Sequence, residues 1–266
     1  MSRSLLYNLA AVVALLPATL QHLREREGRD IVYWSALGVA AAGSIAWALA
    51  LLGDTWHTGL SATLWVSIAA SLVVFMLISA VSAQAWRLTP LLLPYLLLLA
   101  IIATIWAQAP EQPLPATTPP TWLGIHIFVS VLTYALLTIA AVAGLSVVLQ
   151  EWTLKRKRPS ALTRTLPAVA DAEALQLGLL VAGELVLGAG LVTGMATQYL
   201  EDGRLLVFDH KILLSLLAFA LIGLLLFAHW RVGIRGRRAA RYALAAYLLL
   251  TLAYPGVKFV TDVLMT

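Results

Sequence analysis

The chain has 266 residues, of which 61% are hydrophobic and 12% charged, and 18 basic residues against 13 acidic ones give a formal net charge of +5. Its mean hydropathy of +0.88 excludes an ordinary soluble domain, which is roughly 45–50% apolar and about 25% charged. No cysteine is present, which excludes disulfides, thiolate metal sites, iron–sulfur clusters and covalent attachment through a Cys-x-x-Cys-His run.

A bilayer core about 30 Å thick takes about 20 apolar residues per spanning helix. Hydropathy and breaks place such runs near 4–21, 31–52, 60–82, 90–108, 122–150, 173–198, 210–230 and 242–264. Runs this long satisfy their backbone groups internally only as helices. The sequence therefore predicts an all-α polytopic membrane protein: one domain over 1–266 with eight transmembrane helices. Only Arg3 precedes the first run, the charged stretch Arg24-Glu25-Arg26-Glu27 follows it, and no small-x-small site intervenes. That pattern reads as a retained helix rather than a removed signal. The 109–121 connection has five prolines and no positive charge, which favours extended, stiff backbone. The longest connection, 151–172, has room for a short surface helix. No internal repeat of the inverted-transporter kind is visible.

Orientation follows from the basic residues. The 22–30, 83–89, 151–172 and 231–241 connections hold 14 of the 18, leaving only Arg3, Arg204, Lys211 and Lys258 for the other side. The positive-inside rule makes the first side cytoplasmic and puts both termini outside. Trp34, Trp86, Trp152 and Trp230 fall near the inner ends of spans and Trp56, Trp106 and Trp122 near the outer ends, as an aromatic belt requires; Trp47 and Trp65 sit deeper. The basic clusters thus read as topology signals and anionic-lipid contacts, not as a nucleic-acid surface.

The ionisable residues at membrane depth carry the functional information, because burying them is costly. His57, His126 and His210 fall at the outer face, His22 and His229 at the inner. His210 and His229 bracket one span, roughly 28 Å apart at about 1.5 Å per residue, so they define two separate levels. Trp122, His126, Ser130 and Tyr134 recur at four-residue steps along one face of the fifth span. That face suits an axial histidine for haem iron with an aromatic ring beside the macrocycle; the plainer alternative is a histidine bonded within a helix–helix contact. His210 shares the depth of His126 and also opens a helix, so a bis-histidine pair is possible there, while Asp209 is placed to cap the seventh span. At the inner face, His229 precedes Arg235-Gly236-Arg237-Arg238. Arginines beside an axial histidine would neutralise haem carboxylates, though they also serve topology. Glu184 lies deep in the sixth span among Gly183, Gly188, Gly190 and Gly194, where Gly190-x-x-x-Gly194 is a small-residue packing motif. It reads either as part of a proton or cation path or as a hydrogen-bonded structural carboxyl. No nucleophile–base–orienter set is visible, so no enzyme is predicted.

The runs Trp122-Leu-Gly-Ile-His126-Ile-Phe-Val-Ser130-Val-Leu-Thr-Tyr134 and Asp209-His210-Lys211…His229-Trp230-Arg231…Arg235-Gly236-Arg237-Arg238, with Thr193-Gly194 ahead of the second, resemble the cytochrome c assembly family of CcsA- and CcmC-like haem-handling proteins. Length and span count are most similar to its short YpjD- and HemX-like inner-membrane subfamily. The resemblance implies haem held by histidines at two levels and a tryptophan-rich loop that presents it. This chain departs in three places: only Glu201 to Phe208 stands where that loop would be, the stretch around Gly43-Ser44-Ile45-Ala46 has no histidine, and none follows Tyr254-Pro-Gly-Val-Lys258. Each level keeps one family histidine, His126 outside and His229 inside, with His210 at the motif's proline position.

These features together predict a multi-pass protein of a bacterial-type inner membrane that binds or relays haem b without ligating it. The expected haem contacts are His126, His210 and His229 at iron, with Trp122, Arg237 and Arg238 around the ring. Membrane lipids and a membrane-protein partner are expected, and no nucleic acid. The alternative is a haem-free accessory or regulatory subunit of a transporter or respiratory complex.

Overall fold

The computed structural model describes residues 3–21, 28–52, 59–108, 120–203 and 209–260. Within them the chain forms α1 (Arg3–Leu20), α2 (Ile31–Leu52), α3 (Leu60–Val81), α4 (Thr89–Ile105), α5 (Pro120–Arg156), α6 (Ala161–Thr165), α7 (Val169–Asp202), α8 (His210–Val232), α9 (Gly236–Thr251) and α10 (Val257–Phe259). Seven of these helical stretches are long and apolar enough to cross a membrane, and α1 supplies a shorter apolar helix at Leu5–Leu20. The polytopic all-α expectation holds.

Two boundaries differ most from the hydropathy reading. The fifth span runs on to Arg156, and the last helix begins at Gly236 rather than near 242. The basic run Arg237-Arg238…Arg241 is therefore helical and not a loop. Hydropathy marks the hydrocarbon, whereas the helix continues for as long as its backbone bonds close. The 151–172 connection shrinks accordingly and does hold a short helix, α6, whose Ser160 and Thr163 form a reciprocal capping box. His22, Trp56, His57 and the 109–119 stretch lie outside the described residues.

The chain divides into two compact units: 1–113 with 152–168 and 258–266, and 114–151 with 169–257. In the first, α1 packs on α2 and α4, and α3 packs on α2 and α4, closing a ring of four helices. Its centre is polar at one point. Asn8, 1% exposed, accepts at Oδ1 from Trp47 Nε1 (3.1 Å) and Trp65 Nε1 (2.8 Å). Two indoles from α2 and α3 are thus tied to α1 where water cannot satisfy them. At one end of the ring, the Arg29 guanidinium reaches the carbonyls of Ser79 and Ser82, satisfying acceptors that the end of α3 leaves open.

The second unit contains α5 to Glu151, α7, α8 and α9. Glycines set its spacing. A methyl built on Gly183 would lie 2.7 Å from Leu137 Cδ2, one on Gly190 3.5 Å from Val129 Cγ1, and one on Gly194 2.9 Å from His126 Cε1. Rising numbers on α7 meet falling numbers on α5, so the two helices run antiparallel along a glycine seam. Gly188 makes the same allowance for Phe219 of α8. Tyr247 of α9 donates to Tyr134 Oη at 3.1 Å and bonds Thr138 Oγ1 at 3.0 Å, fastening α9 to α5.

Replacing Asn8 by Leu leaves two buried indole N–H groups without an acceptor, each costing about 1–3 kcal/mol. Thermal unfolding in mild detergent should show Asn8→Leu clearly less stable, with Trp47→Phe in the same background costing less than it does in the native protein.

Candidate functional site

The basic end of the second unit is built from the last turns of α8, the first turn of α9, the first turns of α7 and the end of α5. Alpha-8 stops because Gly233 adopts φ +73°, a left-handed C-cap. Arg235 is the extended residue before α9, and Gly236 opens that helix at φ +62°. Glu151 of α5 caps α9 by accepting from the Arg237 backbone N–H at 3.1 Å. Its Oε1 and, farther off, the Glu173 Oε1 of α7 crowd the space that a Gly236 side chain would fill. Only glycine combines that backbone angle with that crowding.

Between these elements lies a small, half-open cleft lined by Glu173, Gln176, Leu177, Leu180, Leu225, His229, Arg235, Gly236 and Ala239. Arg235, Gly236 and Glu173 stand at the helix ends, and Leu180 and Leu225 lie one to two turns deeper along their helices. The cleft is thus polar at its mouth and apolar at its floor, the usual division in sites for amphipathic small molecules. Half-buried His229 lines it with its Nδ1 2.9 Å from the Ile234 carbonyl. A carbonyl only accepts, so Nδ1 carries the hydrogen and the lone pair sits on Nε2. That tautomer, fixed by a backbone carbonyl, is the form in which histidine ligates metals.

His126 shows the same tautomer by a different route. Thr193 Oγ1 donates its hydrogen to the Gly190 carbonyl (3.1 Å), so its 3.1 Å contact with His126 Nδ1 makes the imidazole the donor. The ring is seated in the notch left by Gly194. The histidine is therefore a helix–helix contact between α5 and α7. Ser130 is exposed, and Tyr134 turns toward Tyr247, so the stripe on α5 is not one continuous polar lining.

The remaining expected residues are dispersed. Trp122 is half-buried in the first turn of α5, with its indole N–H enclosed and lacking an acceptor among the described residues. His210 is exposed and faces its own neighbour, the Asp209 carboxylate, whereas the partner of His126 is Thr193. Asp209 occupies the N-cap position of α8 but makes no side-chain cap bond, because its carboxylate is engaged by the His210 ring. Arg237 is half-buried with its Nε unpartnered, and Arg238 is exposed. Glu184 projects against Gly223 of α8, its Oε2 enclosed and without a hydrogen-bond partner among the described residues. No three His, Asp or Glu side chains converge on a metal-ion position among the described residues. Sequence reasoning missed Glu151, Glu173 and Gln176. The first two could have been found as the acids flanking the basic 155–164 stretch, and Gln176 as an amide in an otherwise apolar run.

With this geometry in view, the family comparison is decisive: the family model described as cytochrome C assembly protein matches residues 44–265. The chain belongs to the cytochrome c assembly family. It is 55% identical over 270 residues, covering all of both chains, to a protein of Azospirillum brasilense described as "Uncharacterized 28.8 kDa protein in nifR3-like 5'region". It is 29% identical to inner membrane protein YpjD of Escherichia coli over 68% of this chain and 66% of that one. It is 26% identical to protein HemX of Brevibacillus brevis over 55% of each. As a family member, the chain is a haem-related multi-pass membrane protein.

Two substitutions probe the geometry. Gly194→Ala should destabilise by about 1–3 kcal/mol through overpacking against the His126 ring; the double variant with His126→Ala should recover part of that loss in detergent melting curves. Glu151→Ala removes the α9 cap and should cost about 1 kcal/mol, with hydrogen exchange faster in the first turn of α9 than elsewhere in the unit.

Proposed function

We propose that this chain, in an inner membrane of bacterial type, binds or relays haem b without attaching it to an apocytochrome. The observation that carries the proposal is His229: its Nδ1 is fixed by the Ile234 carbonyl, which leaves Nε2 as the ligating nitrogen, in the wall of a cleft with an apolar floor and arginine at its mouth.

The residue types lining this small cleft are of the kind that hold such a group. Leu177, Leu180 and Leu225 offer an apolar face to a flat ring. Arg235 at the mouth and the unpartnered Arg237 Nε are donors suited to carboxylates; Arg238, exposed on the same turn, adds charge at longer range. Haem b, when bound, would supply an iron-bearing redox-active macrocycle. The protein's share is to fix the axial nitrogen, to neutralise the acidic edge and to shield the apolar one. At the opposite end, His126 with Trp122 beside it in the first turns of α5 forms the candidate second level, and exposed His210 could join it only from the aqueous side. The tryptophan-rich loop of the family's haem-presenting members has no counterpart in residues 201–208, which is why relay is proposed and ligation is not.

The alternative, a haem-free subunit that docks on another membrane protein, draws on Glu184, whose enclosed, unpartnered oxygen a neighbouring donor would satisfy. One preparation separates the two. Expressed with haem precursor and purified in mild detergent, the protein should show a Soret band that His229→Ala abolishes and His126→Ala weakens. A colourless, well-folded preparation would remove the haem proposal and leave the docking role.

A further inference from the structure

Alpha-9 carries two stripes on opposite sides. Ala240, Ala243, Ala246 and Leu250 are buried. Arg238, Arg241, Ala245, Leu248 and Leu252 are exposed and recur at steps of three and four residues, with exposed Tyr242 beside Arg241. Such spacing puts them on one face. That face is ordered chemically along the helix: two guanidiniums, then a phenol, then aliphatic side chains. From Tyr242 to Leu252 the rise is about 15 Å at 1.5 Å per residue, half of a hydrocarbon core about 30 Å thick. The stripe is therefore one leaflet deep, with its basic end at the inner surface.

We propose that this face of α9 is a binding site for one anionic phospholipid of the inner leaflet. Its phosphate sits on Arg238 and Arg241, its glycerol esters at Tyr242, and an acyl chain along Ala245, Leu248 and Leu252. Charge complementarity selects the occupant. The helix contains no acidic residue. Glu151 and Glu173 crowd Gly236, which stands about 200° around the helix from Arg238 at 3.6 residues per turn, so they do not neutralise the exposed pair. Arg237, between the two stripes, is half-buried and its backbone N–H is taken by Glu151. Guanidiniums one turn apart suit the oxygens of a phosphate, and basic residues at the cytoplasmic membrane surface attract anionic lipid. A soluble phosphate would use only the arginines, whereas the aliphatic run continuing from them matches a lipid. The site lies on the outer surface of α9, outside the cleft, and does not depend on the haem reading.

The test titrates the full-length protein in mild detergent with phosphatidylglycerol and, separately, with phosphatidylcholine of the same acyl chains, counting bound lipid by native mass spectrometry. The wild type should hold one phosphatidylglycerol at least about tenfold tighter than phosphatidylcholine. Arg238→Gln and Arg241→Gln should each weaken phosphatidylglycerol about fivefold, the size expected for one basic residue at a membrane surface, and leave phosphatidylcholine unchanged. The double variant should lose the preference, with melting curves verifying that each variant folds. Lys155→Gln with Lys157→Gln removes the same charge from exposed positions elsewhere on the inner side and should keep the preference. Equal loss in that control overturns the proposal, since attraction would then be a matter of net charge. A wild type that binds both lipids equally overturns it as well. Competition by millimolar glycerophosphoglycerol, which has the headgroup and no chains, would make the site one for a soluble phosphate ester and also overturn it.

Discussion

Close approach at glycine notches between α5 and α7 is a constraint that shapes the second unit. Within lipid, helices gain little from burying apolar surface against one another, so association relies on close van der Waals approach. Gly183, Gly190 and Gly194 on α7, and Gly144 on α5, provide that approach at four points along the seam. Each notch is filled by one side chain of the facing helix: Leu137, Val129, His126 and Gln176. Two of those four, His126 and Gln176, are polar, so the same glycines that set the helix spacing also seat polar side chains.

The other organising feature is the balance of charge at the basic end. Arginines at 231, 235, 237, 238 and 241 would by themselves form a strongly positive rim. Glu151 and Glu173 enter that rim from α5 and α7, one held by the first backbone N–H groups of α9, where a helix dipole favours a carboxylate. The consequence is a mouth with directed donors rather than a diffuse positive field. His229 is held in the same frame, because the left-handed turn at Gly233 returns the chain so that the Ile234 carbonyl meets its ring.

Much of this was legible in the sequence, for a physical reason. Spans show up because about 20 apolar residues are required to cross hydrocarbon, and no local context overrides that requirement. The glycines of α7 were readable as a packing face for the same kind of reason. What stayed hidden depends on pairing across helices. Trp47 and Trp65 were visibly too deep for an interfacial belt, but nothing marked Asn8 as the acceptor they share. His126 and His229 stood out as isolated imidazoles, whereas their tautomers depend on Thr193, Gly190 and Ile234. Gln176 is visible as an amide in an apolar run, but nothing in the sequence pairs it with Gly144 on another helix. Asp209 was readable as the residue before α8, yet its carboxylate binds the adjacent ring and leaves the cap to backbone.

Alpha-5 has 37 residues and α7 has 34, so they are about 55 and 51 Å long at 1.5 Å per residue, against a hydrocarbon slab of about 30 Å. Even strongly tilted, such rods overshoot the acyl region by several turns. The excess length of both helices therefore lies in the headgroup layer or beyond it, carried there by unbroken backbone hydrogen bonding rather than by loops.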